Sequence, residues 1–80
     1  MKPYDASFAV GSHVRIAERA RLQRFLEEWK YHNRLEPEQL EFGGKMAKIA
    51  KVGFYHGGEP LYTLEGVPGI WHEECLESPG

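Results

Sequence analysis

Hydrophobic residues change their spacing twice within 80 residues, and that switch narrows the fold more than any other feature of the chain. In FAVGSHVRI, residues 8–16, Val14 and Ile16 alternate with His13 and Arg15 after Gly11, the period of a half-buried strand with a bend at the glycine. In AERARLQRFLEEWKYHN the period lengthens. Leu22, Phe25, Leu26 and Trp29 recur three and four apart, with Arg19, Arg24, Glu27, Glu28 and Lys30 largely elsewhere. That pattern predicts an amphipathic helix over about residues 18–32. No Ser, Thr, Asp or Asn directly precedes it as a cap, whereas Asn33 can take a left-handed conformation at its end and Pro37 follows. LEPEQLEFGG reads as a proline-started helical turn closed by Gly43 and Gly44, with Leu40 and Phe42 tucked beneath.

Period two then returns. In KMAKIAKVGFY, lysines at every third position allow a short helix, but Val52, Phe54, Tyr55 and the flanking glycines favour a strand. A bulge near Ala50–Lys51 lets Ala47 and Ile49, then Val52 and Phe54, face one core. HGGE turns the chain, and PLYTLEG returns as a strand with Tyr62 and Leu64 inward and Pro60 at its start or unpaired side. VPGIWHEECLE supplies a tight turn, a short strand near Ile70–Trp71 and a last turn ending at Leu76. The expected fold class is mainly β with one inserted helix: a compact, strongly bent antiparallel barrel.

Eighty residues hold one domain near the lower size limit for an independent core, with residues 1–7 and 78–80 as tails. Hydrophobic residues at 41% and aromatics at 12% argue against disorder and leave the large aromatics to supply much of the core. The single cysteine, Cys75, forms no internal disulfide and fits a reducing compartment. The opening MKPYDASFAV lacks a signal-peptide apolar core, and no run approaches membrane-spanning length. A soluble, cytoplasmic protein with no membrane partner is expected. Charge is divided along the chain. Residues 13–51 carry nine basic side chains against six acidic, whereas residues 52–80 carry five acidic and no basic ones. Such asymmetry suits a charged partner or head-to-tail self-association into a homo-oligomer.

The residues that shape the strands also carry a resemblance. FAVGSHVRI, the insert bearing leucines and a tryptophan, GGKMAKIAKV, LYTLEG and IWHEECLE together resemble SH3-like barrels over about residues 8–77. Gly11 and Val14, Gly44–Lys45 and Trp71 are similar to the repeat domains of Mind bomb-type ubiquitin ligases. GEPLYTLEG, followed by Trp71 and Leu76–Glu77, resembles the C-terminal barrel of nitrile hydratase β subunits. The first likeness implies an aromatic groove that receives a peptide. The second implies an accessory subunit whose catalytic metal ligands lie on a partner chain.

Catalytic constellations are hard to assemble from this chain. His56-Gly57-Gly58 resembles the oxyanion loop of lipases, but Ser7, Ser12 and Ser78 sit in no nucleophile elbow, so the glycines read as a hairpin turn. His72 and Cys75 have a spacing that suits a soft metal or a nucleophile–base pair. No paired histidine completes a zinc site, and Glu73, Glu74 and Glu77 oppose a reactive thiolate. No catalytic residue, metal or cofactor is therefore assigned. The exposed aromatics are more informative. Tyr55 should point outward beside His56, and a groove between that hairpin and the insert bearing Trp29 would take a protein or peptide partner. The alternative is a nucleic-acid surface formed by Lys45, Lys48 and Lys51 with Arg15.

Overall fold

The computed structural model of the chain describes residues 7–55 and 58–79. Strand β1, His13–Ile16, buries Val14 and Ile16 and exposes His13 and Arg15, as its alternation requires. Helix α1, Arg19–Glu28, follows, then a 3₁₀ turn at Pro37–Phe42. Strand β2 runs Met46–Phe54, β3 Pro60–Leu64 and β4 Val67–His72. A 3₁₀ turn at Glu73–Cys75 leads into β5, Leu76–Glu77.

All pairings are antiparallel, in the order β4-β3-β2-β1-β5. Chain length alone forces this sheet to curl. Five flat strands would hold β4 and β5 about 19 Å apart. Only four peptide steps join His72 to Leu76, a reach of about 14 Å. The sheet bends into a half-barrel, loosely compatible with an SH3-like fold. Part of the bend lies in β2, where the register with β3 shifts between Ile49 and Lys51, at the bulge the lysine spacing implies.

The core fills the concave side. Trp71, Tyr62, Ile16, Ala17, Leu22, Ile49, Val14 and Cys75 are fully buried, and Leu35, Leu40, Ala47, Leu64 and Leu76 complete it. The turn at Pro37 has a reciprocal cap: Glu36 and Gln39 each bond the other's backbone. Gln39 also donates to the Ile70 carbonyl at 3.1 Å, which ties the turn to edge strand β4. Its side chain lies so close to Gly69, whose φ is 99°, that a Cβ there would stand 2.8 Å from Gln39 Nε2.

Two expectations need correcting. The helix stops at Glu28, four residues short of the spacing-based end. Glu27 and Glu28 place negative charge at its negative pole, no basic residue offsets them, and Trp29 turns extended (φ −88°, ψ 108°). Asn33 does adopt a left-handed φ of 49°, but in the loop beyond the helix. Phe54, expected in the core, is 39% exposed. It pairs with Pro60 at the far end of the β2–β3 hairpin, past the last core position, Tyr62.

Candidate functional site

The chain between α1 and the Pro37 turn folds against the hairpin and β4, and rings make the join. Trp29 packs on Phe25 (centroids 5.6 Å apart), His72 (5.1 Å), His32 (5.2 Å) and Tyr31 (5.0 Å). Its indole Nε1–H donates to the His32 carbonyl at 2.7 Å, which fixes the ring's orientation. His32 in turn lies flat on Tyr55, 3.6 Å between centroids and 4° between planes. The two aromatics singled out from sequence, Trp29 and Tyr55, are thus bridged by a histidine that its local pattern did not mark. His56 lies outside the described residues.

A cleft of about 210 Å³ opens beside this cluster, lined by Trp29, Glu59, Pro60, His72, Glu73 and Glu74. Each wall comes from a different element: Trp29 from the end of α1, Glu59 and Pro60 from the hairpin's return, and His72 to Glu74 from the β4–β5 connection. Glu59 Oε2 stands 3.5 Å from His32 Nε2, a buried nitrogen with no hydrogen bond among the described residues. His72 Nε2 is 2.9 Å from the Asn33 carbonyl, so the loop is also pinned to β4.

Glu73 is the most firmly held acid in the cleft. Its Oε1 accepts from the Tyr62 hydroxyl at 2.6 Å and from the Ser7 backbone N–H at 3.0 Å. Burial pushes this carboxyl up, but the hydrogen bonds from Tyr62 and Ser7 outweigh it and hold the group below its usual range. Burial first, then the Glu73 hydrogen bond, raises the Tyr62 hydroxyl far above its ordinary value, so it remains a donor. Phe8 packs edge-on to Tyr62 at 5.7 Å and closes the N-terminal segment over the core.

The basic residues go elsewhere. Arg15 and Lys48 are exposed on the outer face of β1 and β2, where His13 pairs with Lys48 and Arg15 with Met46. Glu77 on β5 stands opposite Arg15. Lys45 precedes β2 with its ammonium 5.8 Å from the Phe42 ring centroid, and Lys51 lies past the bulge opposite Thr63. All three lysines are exposed, Lys45 before β2 and Lys48 and Lys51 on either side of the bulge. Cys75 is buried at the end of the Glu73 turn, and burial foremost, with Glu74 adding to it and Arg21 opposing, pushes its thiol up to about 12. It stays protonated at neutral pH and has no nucleophilic character there.

Sequence reasoning weighs His72 only as a partner for Cys75 and does not single out His32 as a site component. His72 meets the loop through Asn33, 39 positions away, and no local spacing announces such a contact. The acidic bias of residues 52–80 was the available signal for Glu59, Glu73 and Glu74. Among the described residues, no helix is long and apolar enough to cross a membrane. No family model, curated protein or solved structure matches the chain.

Proposed function

We propose that the protein is a small interaction module that binds a protein or peptide segment in the cleft between the insert and the β2–β3 hairpin. The observation that carries this reading is the convergence of three separate elements on one open cleft walled by Trp29, Pro60 and His72. Concave, partly apolar sites with a few placed polar groups are where small domains hold ligands. The half-barrel is loosely compatible with an SH3-like fold, the class to which the resemblance to peptide-binding Mind bomb repeats points. Selection of a random peptide library displayed on phage tests the reading. Enriched peptides should bind the wild-type chain and the Lys48→Glu variant alike and lose binding to Glu59→Arg. No enrichment, or binding indifferent to Glu59→Arg, would reject the cleft as the site.

One observation favours a second reading, a nucleic-acid-binding face. His13, Arg15 and Lys48 are exposed together on the outside of β1 and β2. With Arg15 and Lys48 as its cations, such a face would bind weakly and with a modest salt dependence. Fluorescence titration with single-stranded and duplex oligonucleotides across salt concentration decides it: no binding at low salt excludes this reading.

A further inference from the structure

We infer that the cleft takes a cationic side chain, the guanidinium or ammonium group of a basic peptide segment. This rests on the peptide-binding reading above and specifies its ligand. Three of the six lining residues are glutamates, and none is Lys or Arg. Glu73 is preorganised: Tyr62 and Ser7 both donate to its Oε1. Glu59 approaches from the opposite wall with its side chain 46% exposed. Glu74 also lines the cleft, and Arg21 Nε donates to its backbone carbonyl at 3.1 Å.

The aromatic wall suits the same ligand. The Trp29 indole N–H is already committed to the His32 carbonyl, and the ring, stacked on Phe25, gives the cleft an aromatic wall. A cation beside that wall, with the carboxylates of Glu59 and Glu73 lining the same cleft, gains charge-assisted hydrogen bonds. Among the described residues, no three His, Cys, Asp or Glu side chains are grouped closely enough to hold a metal ion. The spread acids fit an extended organic cation better than a compact inorganic one. The cleft volume admits one long side chain, with Pro60 supplying an apolar surface for its stem.

Calorimetric titration of the full chain with three acetylated, amidated octapeptides tests this: alternating Arg and Ala, Gln and Ala, and Glu and Ala. The Arg peptide should bind about tenfold more tightly than the Gln peptide, the size of one charge-assisted hydrogen bond. The Glu peptide should show no binding. That preference should vanish in Glu59→Gln/Glu74→Gln, a pair that spares the Glu73 anchor, with melting temperature confirming the fold. Equal or tighter binding of the Gln or Glu peptide in the cleft would overturn the cationic ligand while leaving peptide binding intact. No binding by any of the three would overturn both. Undiminished binding of the Arg peptide by the double variant would place the cation elsewhere and overturn the inference. So would light scattering that shows a dimer lost in that variant, since a second copy would then be the occupant.

Discussion

Where β1, β2 and β5 meet, the contact surface is made of Val14, Ile16, Ala47, Ile49 and Leu76, all buried and all aliphatic. Where the loop after α1 meets the hairpin and β4, it is made of rings and single hydrogen bonds, and Tyr31 and Tyr55 are 70% and 37% exposed. The first region is held by interdigitated apolar volume, which tolerates neither gaps nor intruders. The second is held by Trp29, His32, Tyr55 and His72 touching through faces and edges, contacts individually worth about 0.5–1.5 kcal/mol. A region fastened by a few modest, polarised contacts can open locally without unfolding the rest. The cleft borders that region, and the firmly packed strands provide the frame on which it is displayed.

Substitutions in the two regions should separate them. Trp71→Ala should have the largest effect, about 3–5 kcal/mol in urea unfolding, enough to unfold so small a domain. Trp71 is fully buried, and its indole N–H has no acceptor among the described residues, so the loss is one of packing alone. Trp29→Ala should cost less, about 2–3 kcal/mol, because the ring is only half-buried, and should release the loop at residues 29–33 while the sheet remains. Hydrogen exchange would show this as faster exchange near Asn33 with unchanged protection in β1 and β2. Equal losses at the two tryptophans would erase the distinction between frame and corner.

Two smaller effects sharpen it. Tyr62→Phe removes the hydroxyl that donates to Glu73 and accepts from the Phe8 N–H, for a loss of about 1–2 kcal/mol at neutral pH. It should also change the acid limb of stability. Because the Glu73 carboxyl is held below its usual range in the folded chain, its contribution is fully present above the unfolded value, about 4.3. That contribution is lost as pH falls through the lower folded value. Melting temperature against pH should therefore decline less between pH 5 and 2 in the variant than in the wild type; parallel curves would contradict the assignment. Tyr55→Ala should have the smallest effect, about 1 kcal/mol or less, since it removes one face of the His32 stack and leaves the core untouched.

How far the sequence reveals these regions follows the same division. The alternation in β1, the bulge at Ala50 and the turn from Pro37 to Gly43 are written in neighbouring residues, because backbone sterics and one-sided burial decide them locally. The reciprocal cap between Glu36 and Gln39 is equally local, carried by the E-P-E-Q run itself. The end of α1 is different. The apolar spacing continues through Trp29, but tertiary contact with His72 draws that residue out of the helix. Phe54 keeps the inward period of β2 while the hairpin that carries it extends past the core, which only the curl of the sheet determines. The cleft was legible as a place, between the hairpin and the insert, and through Trp29 as one of its walls. Its acids and histidines come together from residues 32, 59 and 72–74, and only the closed chain makes them neighbours.

The central claim is that a partner enters at the ring-built corner and not on the outer face of the barrel. Proton–nitrogen correlation NMR of the labelled chain, titrated with the Arg–Ala octapeptide, examines it residue by residue. The Trp29 indole Nε1–H and the amides of Glu59, His72, Glu73 and Glu74 should shift together in one saturable transition, while those of His13 and Lys48 stay in place. Shifts confined to His13, Arg15 and Lys48, or none at saturating peptide, would contradict it.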